Sequence, residues 1–392
     1  MTLSLKLAND AGLARLYDCY LRHRETPFFI DVSGPPPMMR REDFVEYCTE
    51  NESWMLLVQS GLKGGKKQSG QNLAGCCHFR DKQLGLELAN FDVVFFAGYP
   101  QPNSAEALAF AKAFQSSCAK QKLSRVQLLA LKSDLGKIAF LESIGFKNEG
   151  VLREHYFFRG VFHDLVMLGW TTPDRSKRMA RLAENDNDEA AQVAVPTAVP
   201  SNAPAPKASA NKSGIVSRRA EPRDVDLLVR WYGHPLIQET IEDEELSPRG
   251  RRAKAKKLAA LDEFKDGQCA FIVEFDGEPV ALLHYMWIDW VSRTVELDYF
   301  LAPDLRAGPF LARMVIRQIG RIAFDGLAMR KIYGFTYASN AMSVRMNAHF
   351  LQTEATLKNY LPRSGGGADV LVQSMLASDF NRLYARQRPA SV

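Results

Sequence analysis

Between about Thr172 and Val216 the chain loses the apolar pattern that a folded core requires, and this break constrains everything on either side of it. A basic patch (Arg175, Lys177, Arg178, Arg181) runs into an acidic one (Glu184, Asp186, Asp188, Glu189), and then into Ala, Pro, Ser and Val ending at Asn211-Lys212-Ser213-Gly214. Such a segment cannot bury enough apolar surface to offset the entropy of ordering it. A flexible linker over residues 173–216 is therefore expected, with one domain at 1–172 and another at 217–392. The 392 residues, 46% apolar and 24% charged, are enough to build two cores.

Before the break, apolar spacing predicts helices over Ala8–Leu21 and Glu42–Thr49, then strands over Trp54–Gln59, Leu73–Phe79 and Leu86–Phe96. A helix over Ser104–Cys118 capped by Ser104, a strand Val126–Leu131, a helix Asp134–Ile144 and a strand Leu165–Leu168 follow. After the break the order begins again. Helices are expected over Val225–Trp231 and Pro248–Leu261, the second capped by Ser247 with Pro248 at its first position. Then come a hairpin turning at Asp276-Gly277, strands at Val295–Leu301 and Lys331–Tyr337, a helix Asn340–Leu351 and a strand Val370–Ser374.

Residues repeat along with the order. Glu149, Leu152 and Asp164 recur 205 positions later as Glu354, Leu357 and Asp369, and upstream the offset is 206. A repeat of this length means duplicated domains rather than a solenoid. The fold class expected is α/β: two like domains in tandem, each with a mixed, mostly antiparallel central sheet flanked by helices.

Composition excludes several functions. A net charge of +5 on this length does not argue for nucleic acid or membrane as a partner. No apolar run approaches the roughly 20 residues that span a bilayer, and the N-terminus lacks a signal-peptide layout; the expected location is the cytoplasm. Six cysteines without a Cys-x-x-Cys pair read as reduced thiols. Cys76, Cys77 and His78 alternate across a strand, which makes a poor tetrahedral set, so no metal is expected.

The stretch Arg293–Phe324 reads as a strand broken by Pro303, a short turn carrying Arg306 and Gly308, and an amphipathic helix. A helix start offers unpaired N–H groups and positive dipole character to an anion. Glu296 and Asp298 lie on one side of the strand.

Both halves resemble the GNAT superfamily of acyl-CoA-dependent N-acyltransferases, in particular its ribosomal-protein-alanine-acetyltransferase branch. In the first half the resemblance rests on Phe140-Leu141-Glu142-Ser143-Ile144-Gly145-Phe146, Glu149-Gly150-Val151-Leu152-Arg153 and Gly160-Val161-Phe162-His163-Asp164. In the second it rests on Asp276-Gly277-Glu278-Pro279-Val280, the run Val295 to Pro303, and Asn340-Ala341-Met342-Ser343. The resemblance implies acetyl-CoA or another acyl-CoA as co-substrate and a small-molecule or peptide amine as acceptor. Tyr299, Phe300 and Leu301 would line the pantetheine, and Arg306, Ala307, Gly308, Phe310 and Leu311 would approach the pyrophosphate. Asn340 and Ser343 would border the cofactor arm, and the catalytic set would be Glu296 as general base with Asp298 beside it and Asn340.

The sequence also departs from the family pattern. Pro309 and Leu311 stand where the pyrophosphate loop has glycines, and Asn347 lies near the place of the usual tyrosine acid, leaving the protonating group unassigned. Tyr360 and His349 are nearby in sequence only. The first half has no basic residue in its loop Ala97–Ser104, Leu141 at the tyrosine position and Asp134 at the asparagine position, so it reads as a degenerate lobe that docks on the second half. The alternative to catalysis in the C-terminal domain is a non-catalytic pseudo-acyltransferase, a sensor of acyl-CoA or a metabolite, or a protein-binding scaffold.

Overall fold

Strand alternation resolves, in the computed structural model, into one strand order built twice. The structure describes residues 2–7, 13–14, 16–18, 21, 40–50, 54–60, 72–83, 87–95, 97–173, 175, 214–240, 247–305, 309–363 and 366–384. The chain divides into two units: Met1–Glu184 with Leu357–Gly367, and Asn185–Thr356 with Ala368–Val392. Residues 176–213 of the expected linker lie outside the described residues.

In unit 1 the strands are β1 (Thr2–Leu7), β2 (Trp54–Ser60), β3 (Asn72–Gln83), β4 (Leu88–Phe95), β5 (Arg125–Leu131), β6 (Lys147–Phe158) and β7 (Val161–Thr171). Their order is β1-β2-β3-β4-β5-β7-β6. Neighbours are antiparallel except β4 and β5, which run parallel. A parallel pair needs a crossover, and the helix Ala105–Lys120 supplies it, its N-cap Ser104 accepting from the Ala107 N–H at 3.1 Å. Phe110 and Phe114 of that helix pack with Phe79, Phe91, Phe95, Phe140 and Trp170 into an aromatic core. Offset and edge-on ring contacts there add to the burial of apolar area.

Unit 2 takes in β8 (Ile215–Arg219), β9 (Cys269–Phe275), β10 (Glu278–Asp289), β11 (Thr294–Leu301), β12 (Lys331–Tyr337), the start of β13 (Gln352–Arg363), which passes into unit 1 at Leu357, and, from Ala368, β14 (Gly366–Leu376). The order β8-β9-β10-β11-β12-β14-β13 repeats that of the first seven strands; again the fourth and fifth, β11 and β12, run parallel, while β8–β9, β9–β10, β10–β11 and β12–β14 are antiparallel. Asp276 and Gly277 make the β9–β10 turn with φ of 54° and 85°, the left-handed pair that a two-residue hairpin requires. Each sheet also carries one bulge at the matching place, between Arg80 and Gln83 on β3 and between Met286 and Asp289 on β10.

Two long strands, β6 and β13, are absent from the sequence expectation, which has single short strands at Leu165–Leu168 and Val370–Ser374. Only Leu152 of β6 is fully buried, so that strand lacks the apolar alternation that would have announced it. The helix beginning at Pro309 runs to Gly320 and continues as a wider turn over Arg321–Gly326, past the expected end at Phe324.

The repeat also keeps a buried ion pair. Arg125 Nη2 donates to Glu149 at 2.6 Å in unit 1, and Lys331 Nζ donates to Glu354 at 2.6 Å in unit 2. Unit 1 additionally draws on the distant segment that it includes. Arg125 donates to the Lys358 carbonyl at 2.9 Å, and Arg175 donates to those of Asn359 and Tyr360 at 3.3 and 2.9 Å. The Arg125 guanidinium lies 5.0 Å from the Tyr360 ring centre, and Gln127 donates to the Tyr360 hydroxyl. Arg175, which the sequence reading puts in the linker, is thus a buried member of unit 1. Cys76, Cys77, Cys118 and Cys269 are free, buried thiols, and burial pushes Cys269 up to about 11. Among the described residues no helix is long and apolar enough to cross a membrane.

Candidate active site

Alternation along β11 sorts its side chains onto two faces. Val295, Leu297, Tyr299 and Leu301 turn toward the core that includes Val315 and Ile319 of the helix Pro309–Gly320. Glu296, Asp298 and Phe300 take the other face. There Phe300 is buried edge-on against Trp231 and Tyr232, at 5.9 and 5.5 Å between ring centres. Its side chain is therefore core, and only its backbone is left to line a cofactor.

The parallel ladder between β11 and β12 is short. It pairs Thr294 with Lys331, Val295 with Ile332 and Glu296 with Tyr333, and then ends. Beyond that point β11 follows β10 as far as Leu301, while β12 follows β14 as far as Tyr337. The two strands part at Glu296. Gly334, the next residue on β12, is where a Cβ would come within 2.6 Å of the Leu297 carbonyl oxygen, so only glycine fits that approach.

Glu296 is half-buried and pairs across β10 with Met286, the last residue before the bulge. Bulges re-aim neighbouring side chains and gather near functional sites. Asp298, also half-buried, pairs across with His284. That histidine was not singled out from sequence; its only signal is a lone imidazole within the apolar run of β10. It is 8% exposed, with Nε2 3.2 Å from Gln268 Oε1. Burial, together with the charges of Lys254 and Lys257, pushes it down to about 4, so the ring is neutral. Lys254 also sits 4.7 Å above the Tyr232 ring and Arg252 donates to Asp226 at 2.8 Å, so part of the basic helix Pro248–Leu258 is engaged within unit 2.

A depressed histidine makes stability depend on pH. An unfolded chain takes up this proton below about pH 6.5, whereas the folded one resists until about pH 4. The contribution is complete above the upper value and is lost as pH falls through the window. His284→Gln is expected to flatten the acid-side fall of urea-unfolding stability by on the order of 2–3 kcal/mol. An unchanged slope would remove His284 from that account.

Tyr299 does not present a free hydroxyl to the opening. It donates to Asn347 Oδ1 at 2.6 Å. Asn347 in turn donates to Gln373 Oε1 at 2.9 Å and to Thr336 Oγ1 at 3.2 Å, and Gln373 donates to Thr353 at 3.3 Å. Burial, with the Asp298 charge adding, pushes the Tyr299 phenol well above its usual range. Thus Asn347, which stands near the usual place of a tyrosine acid, receives a tyrosine hydroxyl from β11 instead.

Asn340 is the N-cap of the helix Ala341–Asn347, its Oδ1 accepting from the Ser343 N–H at 3.0 Å. Pro309 is the first residue of its helix, a position where a missing N–H leaves no gap in the internal ladder. Leu311 packs on the core, and Phe310 is 66% exposed. Arg306, Ala307 and Gly308 lie outside the described residues. Of the two sequence neighbours considered as proton donors, His349 is exposed and Tyr360 belongs to unit 1. Among the described residues no cluster of three or more His, Cys, Asp or Glu side chains could hold a metal ion.

The family described as acetyltransferase (GNAT) domain matches residues 215–349. No curated protein matches the chain. Solved structures similar to it include the spermidine N-acetyltransferase of Vibrio cholerae in complex with CoA and spermine, at 21% identity, covering 43% of this chain and 99% of that one, with a TM-score of 0.39. Another is AAC(6')-Ib in complex with paromomycin and acetyl-CoA, at 15% identity, covering 45% and 99%, with a TM-score of 0.36. The matched family spans β8 through the helix that Asn340 caps, and it identifies residues 215–349 as an acetyltransferase (GNAT) domain.

Proposed function

We propose that unit 2 carries the activity, moving an acetyl or other short acyl group from acyl-CoA to a primary amine of a small molecule or peptide. The observation that carries this reading is the parting of β11 from β12 at Glu296, which leaves a strand edge for the thioester arm with carboxylates on one face. The amine nitrogen attacks the thioester carbon, an amide C–N bond forms, and the C–S bond breaks. Glu296 takes the proton that the amine gives up, with Asp298 beside it on the same face of the strand. Backbone N–H groups of β11 past Glu296 steady the oxyanion. The departing thiolate takes its proton from solvent, since the Tyr299 proton is committed to Asn347. Asn340 and Ser343 position the arm from the helix start, and Arg306, Ala307, Gly308, Phe310 and Leu311 are assigned to the phosphate end. The cytoplasm, where thiols stay reduced, is the compartment this reading assigns.

Free-thiol release from acetyl-CoA by the full chain, over amino sugars, amino acids, polyamines and peptides, tests it. Release that depends on one amine class is the expected result. Acetyl-CoA binding without release for any amine favours the second reading, a non-catalytic acyl-CoA sensor, for which Asn347 in place of a tyrosine already speaks. Absence of both overturns the proposal.

A further inference from the structure

Unit 1 has the same strand opening as unit 2. Its parallel pair β4 and β5 meets only at Leu88 with Arg125, Ala89 with Val126 and Asn90 with Gln127. Two residues past the last pair stands Asp92, and the helix Leu135–Ser143 that follows β5 carries Lys137 as its third residue. Lys137 Nζ donates to Asp92 Oδ1 at 2.7 Å, with the two side chains 5% and 4% exposed. The pair therefore ties the helix after β5 to β4, beyond the point where the strands part. Burial works against the ammonium, but Asp92 more than offsets it and holds Lys137 above the usual lysine range. Asp92 Oδ1 also accepts from the Val93 N–H at 2.8 Å, so that oxygen is held by both the backbone and the ammonium.

The repeat permits a direct comparison. The residues 206 positions on from Asp92 and Lys137 are Asp298 and Ser343. The aspartate is kept, and the lysine is not. The two helix starts are otherwise alike. Asp134 caps at φ −84°, ψ 69° and accepts from the Lys137 N–H at 3.0 Å, and Asn340 caps at φ −77°, ψ 73° and accepts from the Ser343 N–H at 3.0 Å. Even the cross-strand partner recurs, His78 facing Asp92 as His284 faces Asp298.

We propose that this helix position decides which unit takes the acyl donor: Lys137 closes the opening of unit 1 from within, and Ser343 leaves that of unit 2 able to admit the thioester arm. A neutral thioester cannot displace a buried ion pair without stranding both charges away from water. A serine side chain ends at its first heavy atom beyond Cβ, so it leaves the space that four methylenes and an ammonium fill in unit 1. The proposal rests on unit 2 being the acyl-CoA unit.

Titration calorimetry of the full chain with acetyl-CoA separates the two ideas. Wild type is expected to bind one acetyl-CoA per chain. Ser343→Lys is expected to weaken binding at least 100-fold and abolish thiol release, with thermal unfolding little changed, because unit 1 shows that a lysine fits here opposite the same aspartate. Binding by Ser343→Lys within threefold of wild type overturns the proposal. So does a wild-type stoichiometry of two, which needs no variant and would mean that Lys137 closes nothing. No binding by wild type overturns the acyltransferase reading itself, a failure distinct from loss in the variant alone.

Discussion

Glu296→Gln is expected to lower kcat/KM for the amine by roughly 10²–10⁴-fold, the range for removal of a general base. The amide keeps the size and most of the hydrogen-bonding shape of the carboxylate, so the affinity for acetyl-CoA should hold. That split distinguishes a base from a structural acceptor, whose loss would weaken binding and stability together. The companion variant carries the electrostatic half of the assignment. Like charges on one face disfavour each other's ionisation, so under the proposed mechanism Asp298→Asn is expected to move the acidic limb of the pH–rate profile to lower pH. Steady-state kinetics across pH check both. Turnover that survives Glu296→Gln unchanged, or an acidic limb that stays in place in Asp298→Asn, would remove the respective residue from the mechanism.

The largest expected loss of stability comes from Lys331→Met. Lys331 and Glu354 are buried, with side-chain exposures of 0% and 1%, and meet at 2.6 Å. Removing only the ammonium leaves a carboxylate in the core, a change that costs about 3–5 kcal/mol in other proteins. At roughly 2–4 °C per kcal/mol for a unit of this size, the melting temperature should drop by roughly 6–20 °C. The double variant Lys331→Met/Glu354→Leu removes both charges and should regain most of that, since a well-packed apolar pair often matches a buried ion pair. Thermal melts of the three proteins settle it; equal losses in the single and double variants would show that the carboxylate left in the core is not the cause.

Much of the fold was legible because its central strands alternate or run apolar and its helices announce their caps. Ser104, Ser247 and Asn340 were read as helix starts, and each side chain accepts the N–H three residues on. The strands β6 and β13 were not legible. Side chains of β6 are mostly half-buried, and a half-buried strand tolerates the polar residues that hide its period. The pairing of Glu296 with Asp298 on one face followed from the period of a strand, which sequence fixes once the strand is known. His284 could not be found that way. Its neutrality comes from burial beside Lys254 and Lys257, which are about thirty residues away in the chain. Nor could Asn347 be identified as the acceptor for Tyr299, because that hydrogen bond joins residues 48 positions apart. Lys137 was not singled out from the sequence, and the repeat makes it the counterpart of Ser343.

The membership of Leu357–Gly367 in unit 1 has a consequence for biosynthesis. When Glu184 leaves the ribosome, the carbonyls that will receive Arg125 and Arg175 have not yet been translated, because 173 positions separate Glu184 from Leu357. At about 5–20 residues per second that interval is roughly 10–35 s, far longer than a helix or hairpin takes to form. Throughout it the nascent N-terminal half holds two guanidinium groups that the finished protein buries. The ribosome-bound chain therefore passes through a long-lived, incomplete intermediate, and its first unit is sealed only when Leu357–Gly367 emerges.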